Sequence, residues 1–209
     1  MKKLFATFFA VVAFVAMAIA QTPQEIVSRM EAEMSKHEKE GVAMMADAKI
    51  PILGTMTTKT YTLGKKTRSE GAMMGIEVIT WTDGETVWEY TVKENKVYVE
   101  NVNLKASSES EGDLGMFSGI TDGYDVSIDE ETADEWHLLC KKSKDNSDKD
   151  APKKMELVIA KGTYLPISLT TKVESINITM YNITFGVSEE EVTFNAANYP
   201  GVTVIDKRH

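Results

Sequence analysis

The chain reads as an α+β domain in which one amphipathic helix leads into a large curved antiparallel sheet. Three observations carry that reading. A helix-start signature, Thr22-Pro23-Gln24-Glu25, precedes an apolar stripe at helical spacing. From Val42 onward the hydrophobic period is two, and short runs are separated by Gly, Asn, Asp and Pro, which makes roughly ten strands. Asp83-Gly84 then joins two alternating aromatic runs, a hairpin signal with a stated backbone cause, since type I′ turns need positive φ.

In chain order, Met1–Ala20 opens with two lysines, continues as an apolar run and closes on Ala18-Ile19-Ala20. It reads as a secretory signal peptide cleaved after Ala20, leaving 21–209 as a single domain exported to a bacterial periplasm. In the helix, Ile26, Val27, Met30 and Met34 share one face, and the helix is expected to end near Glu40-Gly41, where glycine can take the left-handed cap. Strands are predicted over Val42–Ile50, Gly54–Leu63 and Lys66–Met74. Asn103–Thr121 is rich in Ser, Glu and Gly and reads as a surface loop. Tyr124–Ile128 and Trp136–Lys141 follow as strands, then the solvated loop Lys142–Lys154. Met155–Ala160, Tyr164–Val173 and Ile176–Phe185 continue the meander, with short strands at Val192–Phe194 and Val202–Ile205.

The hairpin Ile76–Val102 organises the sheet. With Asp83 and Gly84 as the loop, Trp81 is expected opposite Thr86 and Ile79 opposite Trp88. A second turn over Glu94 and Asn95 sets Val92 opposite Val97 and Tyr90 opposite Val99. Directly opposed residues share a face, so Ile79, Trp81, Trp88, Tyr90, Val92, Val97 and Val99 form one apolar surface that must be covered by protein or by ligand.

Composition narrows the function. Lys and Arg number 23 against 32 Asp and Glu, a formal charge of −9. Cleavage after Ala20 removes Lys2 and Lys3 and takes it to about −11. That balance argues against nucleic acid as a partner and against docking on anionic lipid by charge alone. The single cysteine, Cys140, leaves the domain without an internal disulfide. His37, His137 and His209 are scattered, so no metal is expected, and no phosphate loop or cofactor motif is present. Gly115-Met116-Phe117-Ser118-Gly119 places its serine one position late for a nucleophile elbow. His137 and Cys140 stand three apart on a strand and face opposite ways. A non-catalytic binding protein, monomeric, is the expectation.

The chain resembles the LolA family of periplasmic lipoprotein carriers and related outer-membrane lipoprotein-sorting proteins. The resemblance rests on Trp81-Thr82-Asp83-Gly84-Glu85-Thr86-Val87-Trp88-Glu89-Tyr90, on Lys161-Gly162-Thr163-Tyr164-Leu165-Pro166-Ile167 before a long strand pair, and on Phe194 through Pro200-Gly201-Val202-Thr203-Val204-Ile205-Asp206. It implies an open half-barrel with the N-terminal helix packed on or over its concave face, and a cavity for the acyl chains of a lipidated protein or other acylated molecule. On that reading Ile79, Trp81, Trp88, Tyr90, Val92, Val97 and Val99 line the cavity, while Ile26, Met30 and Met34 belong to its lid. The family's lid-latching strand arginine has no residue-for-residue match, Arg68 being the nearest. Some regulators resembling this fold bind an envelope protein instead, which makes a sensor or scaffold the alternative.

Overall fold

A computed structural model of the chain describes residues 21–102, 117 and 119–208. The expected signal peptide Met1–Ala20, most of the loop Asn103–Thr121 and Ser118 lie outside the described residues. Helix α1 spans Pro23–Lys36 and begins with a capping box. The Thr22 hydroxyl accepts from the Glu25 amide at 3.2 Å, and the Glu25 carboxylate accepts from the Thr22 amide at 3.0 Å. Its buried stripe is Ile26, Val27, Met30 and Met34. The helix stops at Lys36, four residues earlier than expected. His37 caps it, with its ring stacked on Phe185 at 4.2 Å and hydrogen-bonded to Glu40. Gly41, at φ +70°, then turns the chain into the sheet, and a Cβ there would stand 2.6 Å from the Thr62 carbonyl oxygen.

The first six strands are β1 (Val42–Ile50), β2 (Gly54–Leu63), β3 (Lys66–Met73), β4 (Ile76–Thr82), β5 (Thr86–Thr91) and β6 (Lys96–Asn101). The rest are β7 (Tyr124–Glu131), β8 (Glu135–Lys142), β9 (Lys154–Ala160), β10 (Pro166–Val173), β11 (Ile176–Phe185) and β12 (Thr203–Asp206). All twelve form one open sheet in the order β12-β6-β5-β4-β3-β2-β1-β11-β10-β9-β8-β7. The domain is an α+β open half-barrel with one N-terminal helix. Every pairing is antiparallel except β12 with β6, which is parallel. That exception follows from the connection. Residues 186–202 leave β11 in the middle of the sheet and travel to its far edge, about 34 Å at ordinary strand spacing. Such a segment reaches roughly 55 Å fully extended, so it has slack to dip onto the sheet on the way. No helix among the described residues is long and apolar enough to cross a membrane.

The hairpin is offset by two residues from the expected register. Trp81 pairs with Trp88, Ile79 with Tyr90, and Thr82 with Val87. The cause is Asp83, which caps the turn from beneath it. Its carboxylate accepts from the Glu85 and Thr86 amides at 2.9 and 2.7 Å, so Gly84 and Glu85 become the tip. Gly84, at φ +91°, then occupies the first central position, where a II′ turn needs glycine. The second turn shifts likewise, pairing Tyr90 with Val97 and Trp88 with Val99. A single 3-10 turn over Val92–Glu94, ended by left-handed Asn95, absorbs the extra residues. Because both shifts are even, the aromatic face keeps its membership along the strands.

Two cores form on opposite faces. Across the sheet, Met44, Thr60, Ser69, Thr80 and Glu89 lie in one register row, while Ala43, Tyr61, Arg68, Trp81, Trp88 and Val99 lie in the next. Adjacent strand residues point to opposite faces. Helix α1 covers the Met44 face, packing on Trp136, Leu138, Cys140, Leu157, Ile159 and Leu169, with Phe117 buried beside them. The Ala43 face is covered by the returning C-terminal segment, where Val187 and Val192 meet Ala43, Tyr61 and Leu63. Val192–Phe194, expected as a strand, is irregular backbone. Its alternation is real, but it lies over a sheet face with no strand edge to pair with.

Candidate functional site, an aromatic face under the C-terminal segment

Strands β4, β5 and β6 present Trp81, Trp88, Tyr90, Val97 and Val99 on one side, because each is two residues from the next or directly opposed across a ladder. Phe194 and Tyr199 descend onto them. The Phe194 ring centre lies 5.3 Å from that of Trp81 and 6.2 Å from that of Trp88. Tyr199 meets Trp81 edge-on at 5.6 Å and Tyr90 at 4.8 Å. These are the tilted and offset distances that aromatic pairs favour. Trp81 is 2 % exposed, Val97 0 % and Val99 3 %, whereas Trp88, Tyr90 and Ile79 remain half-buried.

An arginine enters this apolar setting. Arg68 faces Tyr61 and Trp81 across the ladder, with its guanidinium carbon 5.5 and 5.6 Å from their ring centres. It pairs with Glu70 at 2.6 Å, and its Nε is buried with no hydrogen-bond partner. Desolvation pushes the Tyr199 phenol up, against the opposing pull of Arg68.

The cover is held by few polar contacts. Asn95 accepts from the Tyr90 hydroxyl at 3.1 Å and donates to the Gly201 carbonyl at 3.0 Å. Lys66 pairs with Glu189. Glu191 accepts from the amide and hydroxyl of Ser188, both at 2.8 Å, and those bonds hold its carboxyl below the usual carboxylate range.

The residues singled out in the sequence therefore fall in two places. Ile79, Trp81, Trp88, Tyr90, Val97 and Val99 share the aromatic face, and Val92 sits in the 3-10 turn at its rim, 37 % exposed. Ile26, Met30 and Met34 are buried on the opposite face, so the structure does not bring them over the rings. Phe194 and Tyr199 are not among the site residues read from the sequence, and Arg68 enters there only as the arginine nearest the family's latch position. The signal available was modest: apolar alternation at Val192–Phe194 and an aromatic just ahead of Pro200-Gly201.

Elsewhere, Cys140 is buried, and burial pushes its thiol up to about 11, far from nucleophilic. His137 bonds Glu135 at 3.2 Å. Among the described residues no group of three or more His, Cys, Asp or Glu is placed to hold a metal.

No family model matches the chain, and no curated protein matches it. Solved structures do. The chain is similar to an uncharacterized conserved protein from Thermus thermophilus, at 15% identity and TM-score 0.48, covering 88% of this chain and 98% of that one. It is similar to MucB in the Pseudomonas aeruginosa MucA/MucB complex at 12% identity and TM-score 0.45, covering 83% of this chain and 61% of that one. This chain thus spans about three fifths of the length of MucB. A LolA superfamily protein from Nitrosomonas europaea is similar at 9% identity and TM-score 0.34, covering 85% and 100%.

Proposed function

We propose that the protein is a non-catalytic periplasmic carrier or chaperone that takes the acyl chains of a lipidated protein, or another acylated molecule, onto the aromatic face for transfer toward the outer membrane. The observation that carries this reading is the nature of the cover. Trp81, Trp88 and Tyr90 are roofed by Phe194 and Tyr199 on a segment whose only regular structure is a 3-10 turn at Ala196–Asn198. A cover of that kind can leave without breaking a strand ladder, so the segment 186–202 takes the lid role expected of α1. An acyl chain of about 14 carbons gains on the order of 11 kcal/mol on leaving water, enough to compete with two aromatic side chains for the same surface.

Native mass spectrometry with lipid extraction of the protein purified from a bacterial periplasm tests the reading. Bound acyl species, displaced by a fluorescent fatty acid, are expected. Trp88→Glu should lower that binding while the circular dichroism spectrum is kept, since Trp88 is only half-buried. A protein that is empty and ignores the probe sinks the carrier reading.

The second reading is a sensor or scaffold that binds an envelope protein. It is favoured by the dryness of the site, where Trp81, Val97 and Val99 already lie beneath protein. An empty protein whose Phe194 and Tyr199 stay protected in hydrogen exchange would fit it.

A further inference from the structure

Eight large apolar side chains stand exposed among the described residues, and six of them, Ile52, Leu53, Met74, Ile76, Val92 and Val173, lie at one end of the sheet. The topology puts them there. The β3–β4, β1–β2 and β10–β11 hairpins are consecutive in the strand order, and all three turn at this end. Ile50 is opposite Gly54, Lys49 opposite Asn177, and Thr58 opposite Gly71. That register leaves the three tips level to within a residue or two, about 3–7 Å.

Hairpin tips ordinarily carry Gly, Asn, Asp or Ser. Here the first reads Pro51-Ile52-Leu53 and the second Met74-Gly75 between Met73 and Ile76. Ile52 is fully exposed at φ +72°, a backbone region that disfavours a β-branched side chain. Its side chain contributes nothing to the fold that would justify the strain.

Beside the third tip runs an open groove that reaches Val173 and holds Lys142, Lys149, Lys153, Lys154 and Lys172. Asp150, Glu156 and Glu174 also line it, and Glu156 is taken up by Lys154 at 2.7 Å. Among the described residues Lys149, Lys153 and Lys172 make no ion pair. Lys49, exposed, stands one strand away across Asn177. A local cationic excess on a chain of formal charge −9 thus sits next to the exposed aliphatic tips.

We propose that this end docks on an anionic lipid bilayer, with Ile52, Leu53 and Met74 entering the headgroup region and the groove lysines meeting lipid phosphates. A protein surface is the poorer match. Cores of protein interfaces are enriched in aromatic residues and arginine and depleted in lysine, the reverse of this end. Separate aliphatic tips flanked on one side by a lysine-bearing groove suit an interface where apolar groups embed shallowly and cations meet headgroups. The acidic remainder of the molecule is repelled by the same surface, which fixes the orientation. This docking goes beyond the carrier reading and stands whether or not the aromatic face takes a lipid.

An environment-sensitive dye placed at the tip tests it. The native thiol does not compete, because Cys140 is buried with its pKa raised to about 11. The full chain carrying Leu53→Cys and a nitrobenzoxadiazole label is mixed with phosphatidylglycerol-rich vesicles. The control carries the label at Lys65→Cys, in the exposed turn at the opposite end. A blue shift at position 53 and none at 65 is expected, weakened by salt and by pure phosphatidylcholine. Lys153→Gln with Lys172→Gln should lower the apparent affinity for anionic vesicles about thirtyfold. No shift at 53, or equal shifts at both positions, overturns the proposal, since both labels share the same N-terminus. Tip variants that leave vesicle behaviour unchanged but lose a protein complex overturn it in favour of a protein partner.

Discussion

Trp81 is the residue on which the second core turns. It is directly opposite Arg68 and Trp88, beneath Phe194 and Tyr199, and 2 % exposed. Trp81→Ala should destabilise the domain by about 3–5 kcal/mol, read as a lower urea midpoint. Ile52 makes the opposite case. Its side chain touches solvent only, so Ile52→Gly removes left-handed strand-end strain without losing packing. A gain of about 0.5–1 kcal/mol is expected after glycine's larger chain entropy is subtracted, and a raised thermal midpoint would register it. Cys140 titrates from a raised pKa, so its contribution is complete below the ordinary thiol range and is lost as pH rises through about 11. Urea titrations between about pH 8 and 11 should show falling stability, with Cys140→Ser flattening the curve.

The element that decides how the aromatic face behaves is the returning segment 186–202. It crosses half the sheet with a 3-10 turn as its only regular structure and is pinned through Asn95, Lys66 and the Ser188–Glu191 turn. Phe194→Ala should release it without unfolding the sheet. Trp emission should then shift red and binding of a fluorescent fatty acid should rise, whereas a cooperative loss of structure would make the segment part of the fold's obligatory core. Glu191 has a lowered pKa, so the stability it lends is present above the unfolded carboxylate range and lost as pH falls through its folded pKa. Acidification below about pH 4 should loosen the segment, and Glu191→Gln should remove that component from the Trp emission profile.

At the scale of the molecule the sheet is a divider. Helix α1 closes one face over β8–β10, the C-terminal segment closes the other over β2–β6, and each core needs its own cover. Met30, 0 % exposed, sits in the first, so Met30→Asp should abolish folding, whereas changes at Phe194 act on the second core alone. Much of this was legible in the chain. The capping box, the period-two runs and the Asp83-Gly84 turn are local signals, and local backbone chemistry is enough to produce helix, strands and the membership of the aromatic face. The even register shift at the hairpin preserved that membership even though Asp83 moved from the tip to the cap. What covers each face was decided by tertiary structure, because a sheet presents two sides and alternation names the residues on a side without naming their partner. Ile26, Met30 and Met34 could have met the rings by pattern alone. The strand order that puts β11 beside β1 seats the helix on the other face, and the slack in residues 186–202 brings Phe194 and Tyr199 to Trp81.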